Sequence, residues 1–402
     1  MLPERDGLTL FYPFEFEQNV RNTAQLYIQN IQPGDKTKED FHFILFILKK
    51  ADMKRILKQS VGIDVAQKEL VVQIGRLNED LSTELYAYKC FANTTKGFIL
   101  LVQWVLKLTE PTVSIRYVME ATGVYHESLA CYLADQGYPV SIILPNKISN
   151  YFRTLSVKTI TDKSASKAIT LFGLERKLED WKRPKPVFKY LRQLTRERDQ
   201  LVQERTMIKN QLHAEQTESD PNSSTLKRIK QRIDLLNKQE KVIKEEIDTL
   251  SKKEKELKNE LALLRTIPGI GTLTAATILA ETNCFELVRS KRQLASYAGF
   301  DVQEKQSGTS VKGKTRISKK GNKNLRKAMH MPALTAIRHD ERFKTIFARL
   351  VSKHGIKMKA AVAVQRKLLE LSYTIFKSGL PYNKNYLQQE KLSDQKYQQQ
   401  LA

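Results

Sequence analysis

SVGIDVAQKELVVQIG (residues 60–75) holds two short apolar runs, SVGIDVA and ELVVQIG, separated by a turn at Gln67-Lys68. Runs this short, rich in Val and Ile, read as paired strands. Downstream, ELYAYKCFA (84–92) alternates apolar and polar residues as a third strand does. GFILLVQWVLKL (97–108) is apolar enough for a buried helix, and VSIRYVMEA (113–121) is a strand that ends in Glu120. Thr122-Gly123 then turns the chain into a helix through YHESLACYLADQG, and YPVSIIL is the next strand. From Thr161 to Trp181 the pattern is helical. Three strands followed by alternating helices and strands predict an α/β domain with a mixed sheet, spanning 53–181.

Past this domain the periodicity changes. Val187, Leu191, Leu194, Leu201, Ile208 and Leu212 recur at three-four spacing. After ESDPNSS (218–224) the stripe resumes at Leu226, Ile229, Ile233, Leu236, Ile243, Ile247, Leu250, Leu257, Leu261 and Leu264. This predicts a two-armed coiled coil over 182–261 with its tip at Pro221, its second seam interrupted by Glu240 and Glu254. An antiparallel hairpin within one chain is the most economical reading, and pairing between chains is its rival. Residues 262–380 predict a compact, mainly helical C-terminal domain, and 381–402 a polar tail. The first 52 residues mix aromatic bursts (Phe11, Tyr12, Phe14, Phe16) with polar stretches. Met53 opens MKRILKQSVGIDVAQKEL as a start codon would, so 1–52 reads as an upstream extension or unstructured arm.

Lys and Arg total 68 against 44 Asp and Glu, a formal charge of +24. Such an excess suits a polyanion, because each neutralised phosphate releases counterions, and DNA is the expected partner. No apolar run reaches the roughly 18 residues of a membrane helix. Cys90, Cys131 and Cys284 are isolated and lack metal-ligand spacing, which reads as reduced thiols of a cytoplasmic protein.

Asp64 lies inside an apolar strand, where a charge is costly unless paired or metal-bound. Glu120 ends another strand, and Asp162 opens a helix. Each has a plain structural reading too: Asp162 as an ordinary helix N-terminal acid, Glu120 as the partner of a cation. Taken together, two strand acids and one helix acid can converge at a sheet edge, as in RNase H-like nucleases. There they would hold Mg²⁺ (or Mn²⁺) for phosphoryl transfer.

A second candidate region is basic. Between Lys305 and Lys327 stand nine Lys or Arg and no Asp or Glu. Lys305, Lys312, Lys314, Arg316, Lys319, Lys320, Lys323 and Arg326 are the candidate nucleic-acid contacts, read as a flexible basic loop with Gly308, Gly313 and Gly321. Just upstream, IPGIGTLTAATILAE (267–281) resembles a helix-hairpin-helix turn, whose second helix offers backbone N–H groups to phosphate.

VGIDVAQKEL, MEATGVYHESLACYLADQGYPVSIILPNKISNYF and KTITDKSASKAI resemble the RuvC-like DEDD domain of one insertion-sequence transposase family, the one-ten family. LLRTIPGIGTLTAATILAE, LASYAGFDVQEKQSG and ISKKGNKNLRKAM are similar to that family's second, serine-bearing domain. The resemblance runs from about Met53 to Gly379 in the family's order. It implies a bacterial, nucleoid-associated DNA recombinase guided by a non-coding bridge RNA and acting as a homo-oligomer, dimer or tetramer, through the coiled coil. It implies that Asp64, Glu120 and Asp162 are catalytic metal ligands and that Ser307 is the catalytic nucleophile, with Arg316, Lys319 and Arg326 as candidate transition-state cations. The family's fourth acid falls on Ala165, which cannot bind metal. Ser166 is one residue on. Glu175 is 13 residues beyond Asp162, roughly 20 Å along a helix and too far to substitute. The rival readings are a RuvC-like structure-specific endonuclease using metal-activated water, and an inactive DNA-binding relic.

Overall fold

The computed structural model describes residues 55–121, 123–155, 159, 161–304, 306–307, 311–313 and 315–384. The Met53 start, residues 1–52 and most of the polar tail lie outside them. The chain divides between Arg183 and Pro184 into two compact units.

In the first unit, β1 (Ile56–Val65), β2 (Glu69–Asn78) and β3 (Thr83–Ala92) form an antiparallel meander. α1 (Thr95–Leu108) crosses to β4 (Ile115–Glu120), which lies parallel to β1. α2 (Glu127–Asp135) crosses to β5 (Val140–Ile143), parallel to β4. The sheet order is β3-β2-β1-β4-β5, with β2 alone reversed. One face buries Val61, Ile63, Leu70, Val72, Ile74, Tyr117 and Met119 against Phe98, Leu101 and Val105 of α1 and Leu129 and Leu133 of α2. Burial of this order drives the fold at about 25 cal/mol per Å² of apolar surface.

The opposite face is covered by α3 (Pro145–Phe152) and α4 (Asp162–Glu175), through Val118, Ile143, Ile148 and Ile169. α4 approaches β1 closely because glycine allows it. A Cβ on Gly62 would collide with Thr170 and lie 2.6 Å from the Ser166 carbonyl oxygen, and one on Gly173 would collide with the Ser60 hydroxyl.

The sequence pattern predicts helix as far as Trp181, but α4 ends at Glu175. Lys58 explains the stop. Its ammonium donates to the carbonyls of Leu174 (3.0 Å) and Arg176 (2.7 Å), capping the helix end with a cation. Beyond it the chain runs extended beside β5, where the Trp181 N–H donates to the Val140 carbonyl and Arg116 pairs with Asp180, both at 2.7 Å.

The second unit opens with two 31-residue helices, α5 (Pro186–Gln216) and α6 (Ser223–Lys253), packed on each other and joined by a short turn. Asn222 caps α6, accepting from the Ser224 and Thr225 N–H groups. Toward the tip Ile208, Ile229, Ile233 and Leu236 form a separate cluster, while Leu191, Leu194, Ile243 and Ile247 join the unit's main core. Glu240 does interrupt the apolar seam, and it is buried (4% exposed). Arg198, Arg205 and Lys244 all bond its carboxylate. Burial opposes ionisation there, but those three cations hold the carboxyl down at about 2. Glu254 marks the break before α7 (Lys255–Leu264).

α8 (Thr272–Thr282), α9 (Lys291–Tyr297), α10 (Lys323–Ala328), α11 (His330–His339), α12 (Glu341–His354) and α13 (Lys357–Ser378) complete the helical core. Gly269, at φ +83°, lets the Pro-Gly turn press on α11, where an added Cβ would strike the Pro332 carbonyl.

Within the segment expected as a basic loop, the described residues form two short antiparallel strand pairs, together termed the ribbon. β6 (Val302–Gln303) pairs with β9 (Arg316–Ile317), and β7 (Gln306–Ser307) with β8 (Val311–Lys312), all antiparallel.

Candidate active site

The first unit places the acidic set by matching two lengths. Lys58 and Asp64 are six residues apart on β1, about 20 Å at strand rise. Asp162 and Glu175 bound α4, about 20 Å at helix rise. Lys58 caps the far end of α4, and the Ser166–Thr170 turn sits on Gly62. The helix therefore runs antiparallel to β1, and its N-terminus arrives over Asp64. The parallel register Ile63↔Met119 puts Glu120 on the neighbouring strand at the same end. Two strand ends and a helix start thus bring Asp64, Glu120 and Asp162 to one edge of the sheet.

Electrostatics records this proximity. The Asp64 carboxyl is raised above its ordinary value, first by burial and then by the negative charge of Asp162. The Glu120 carboxyl is raised by burial and then by Asp64. Asp64 and Glu120 are half-buried and Asp162 is exposed. Among the described residues no Lys or Arg forms an ion pair with any of the three. Thr161 is the N-cap of α4, accepting from the Ser164 N–H at 3.2 Å while Ser164 Oγ accepts from the Thr161 N–H at 2.8 Å, and Asp162 stands in the first turn, where an acid also suits the helix dipole.

Three hard carboxylate donors, two of them partly desolvated, suit Mg²⁺ or Mn²⁺ in kind. Their spacing is wider than a closed site: among the described residues no three His, Cys, Asp or Glu side chains stand together closely enough to hold one ion. Neither substitute for the fourth acid closes the gap. Ser166 is fully buried, its hydroxyl donating to the Lys163 carbonyl at 3.0 Å, and Glu175 lies at the Lys58 end of α4.

Sequence reasoning missed Tyr88 and Lys163. The Lys163 ammonium sits 4.9 Å from the centre of the Tyr88 ring. The Tyr88 hydroxyl, 3.3 Å from Cys90 Sγ, is pushed up to about 12 by that contact first and in part by Asp162. Only the β2–β3 register, which sets Tyr88 opposite Gln73, brings this pair beside the acids. Asn93 was missed as well. Its amide donates to the carbonyls of Ala66 (2.9 Å) and Tyr125 (3.2 Å), tying the exit of β1 to the loop after Glu120.

Ser307 belongs to the second unit, on β7 of the ribbon. Of the basic candidates, Arg316, Lys319, Lys320 and Lys323 are exposed, and Lys312 lies on β8. Lys305 and Lys314 lie outside the described residues. Arg326 is half-buried, its guanidinium donating to the Ala298 carbonyl at 2.6 Å. The root of the ribbon is fixed by Glu281, 1% exposed, a residue the sequence reading passed over. It accepts from Arg196 at 2.7 and 2.8 Å, from Asn322 at 2.7 Å and from Asn324 at 3.0 Å. Burial opposes its ionisation, yet Arg196 and the two amides hold its carboxyl below the ordinary range.

A five-stranded sheet in the order 3-2-1-4-5 with only its second strand reversed, roofed by a helix that brings a third acid to two strand acids, defines an RNase H-like, RuvC-like protein. Residues 61–217 match the DEDD transposase model of the IS110 group, and residues 261–348 match the model described as "Transposase IS116/IS110/IS902 family". The pilin gene-inverting protein of Moraxella lacunata is 30% identical over 338 residues, covering 81% of this chain and 98% of the relative. That of Moraxella bovis is 29% identical with the same coverage. The chain belongs to the IS110 family of transposases and is a DNA transposase or recombinase. A solved structure of T. thermophilus RuvC with a Holliday junction substrate aligns at 13% identity over 28% of this chain and 90% of that chain, with a TM-score of 0.22; the strand order itself carries the fold assignment.

Proposed function

We propose that this transposase cuts and rejoins DNA through a composite site, with Asp64, Glu120 and Asp162 as the acidic half and Ser307 as the nucleophile. The observation that carries this reading is the acidic edge itself. Two carboxyls are raised by burial and by each other's neighbours, with no cation paired to them among the described residues. Such an arrangement costs stability and persists where a ligand repays it. A divalent cation bound there would neutralise charge at a phosphate and make an oxygen nucleophile easier to ionise.

Ser307 Oγ would attack the phosphorus, giving up its proton as the phosphorus–oxygen bond to the leaving strand breaks. That strand's oxygen would take a proton, and the phosphate would be left esterified to the serine. Attack by a second DNA hydroxyl reverses the step, so the bond energy is conserved for joining. Arg316, Lys319 and other cations of the ribbon would balance the charge of the five-coordinate phosphorus. The pairing of a basic ribbon with a long helical hairpin suits a homo-oligomer holding two DNA segments, and a non-coding guide RNA would select the sites.

The test uses the full chain with DNA carrying element ends, the flanking non-coding RNA and Mg²⁺. Asp64→Asn and Ser307→Ala should each abolish strand exchange, and wild type alone should yield a denaturant-resistant protein–DNA adduct. A hydrolytic RuvC-type enzyme is favoured by nothing but the acidic edge, and it predicts cutting by Ser307→Ala without an adduct. The Ala165 departure and the open spacing of the acids favour an inactive relic, which predicts binding with no cutting by any variant.

A further inference from the structure

The second unit holds a cleft of about 770 Å³ at the root of the Ser307 ribbon, walled by α5, α8, α10, α11 and α13. Its chemistry is divided. The rim carries Lys323 and Arg326, neither paired with a carboxylate among the described residues, whereas both acids of the cleft are already engaged, Asp199 by Lys327 and Glu281 by Arg196. The walls carry two methionines unusually open for apolar side chains, Met331 (66% exposed) and Met358 (59% exposed). Deeper in, Gln365 is 5% exposed, and its amide nitrogen lies 3.1 Å from His330 Nδ1.

Exposed methionines flanking a pocket form an adaptable apolar clamp for a flat group. A partly buried amide–imidazole pair offers donors and acceptors to the edge of such a group, and rim cations without a carboxylate partner suit an anion beside it, although Arg326 also holds the Ala298 carbonyl. Base, base edge and phosphate are three parts of one ligand. We propose that this cleft receives a single unpaired nucleotide of the bound strand, its base between Met331 and Met358, its edge at Gln365 and His330, and its phosphate at Lys323 and Arg326. The inference rests on nucleic acid being the substrate, and it adds a demand of its own: the strand must be unpaired at this point.

The full chain is titrated, without divalent ion, into a labelled 12-nucleotide single strand carrying 2-aminopurine and into the duplex of the same sequence. Two thioether–ring contacts together suffice for M331A/M358A to weaken single-strand binding about tenfold while duplex affinity is unchanged. The change in 2-aminopurine fluorescence on binding should disappear with it. Lys323→Gln should lower the salt slope of single-strand binding by about one. Both methionines are exposed, so an unshifted thermal melt will verify that the double variant folds. Equal loss on both substrates, or no loss on either, as a protein-binding cleft would give, overturns the proposal. Cleavage is not read. A chain that never cut DNA yet showed this discrimination would sink the strand-exchange mechanism and leave the cleft standing.

Discussion

Asp64 is the residue at which cost and use meet. Its carboxyl and that of Glu120 lie above their ordinary values of 3.8 and 4.5, so the folded unit favours the protonated forms. Their contribution to stability is therefore complete below about pH 4 and is lost as pH rises through the raised values. Asp64→Asn should stabilise the unit at pH 7, with the gain vanishing near pH 4. Millimolar Mg²⁺ should raise the melting temperature of wild type and not of Asp64→Asn, and Ala165→Asp should bring the same rise at a lower Mg²⁺ concentration. Melting curves over pH and Mg²⁺ check all three. A wild type indifferent to Mg²⁺ would remove the metal site.

Asp64 stood out as a candidate because a charge inside SVGIDVA has no cheap explanation in a strand, whereas Glu120 and Asp162 each had a plain structural reading beside the metal-binding one. Tyr88 and Lys163 did not stand out. They meet only through a cross-strand register and a helix docking, neither of which leaves a local signature.

At the scale of elements, the decisive contact is α4 on β1. Gly62 and Gly173 are each a point where backbone meets backbone or a buried hydroxyl. Gly62→Ala should force α4 off the sheet, at about 1–3 kcal/mol or more, and should abolish the Mg²⁺-induced rise in melting temperature along with it. A variant of normal stability and normal Mg²⁺ response would show that the helix yields easily. The mixed α/β class and the long paired helices were recoverable from periods of two and three-to-four, which persist over many residues. The ribbon was not, because strands of two residues carry no period and its lysines read as a solvated loop. The end of α4 was misplaced because its cap, Lys58, stands 116 residues away from Leu174 in sequence.

For the whole molecule, a formal charge of +24 predicts binding governed by counterion release. Neutralising six to ten phosphates would make affinity fall by about 10³–10⁵ between 50 and 200 mM salt. Filter binding across that range tests it, and a shallow slope would show that the charge lies away from the interface.

The contact beneath Gly62 bears on how this protein tolerates change. The partners there are main-chain atoms of Ser166 and Thr170 as well as the Thr170 hydroxyl, so the approach of α4 to the sheet is set by its inward face, Ser166, Ile169 and Thr170, and not by its outward side chains. Mutation can then alter the outward positions of α4 one at a time without moving Asp162. Ala165, half-buried on α4, is the position at which the family resemblance expects a fourth acid. The same frame would accept a carboxylate there, which makes the site a natural starting point for directed evolution of metal dependence.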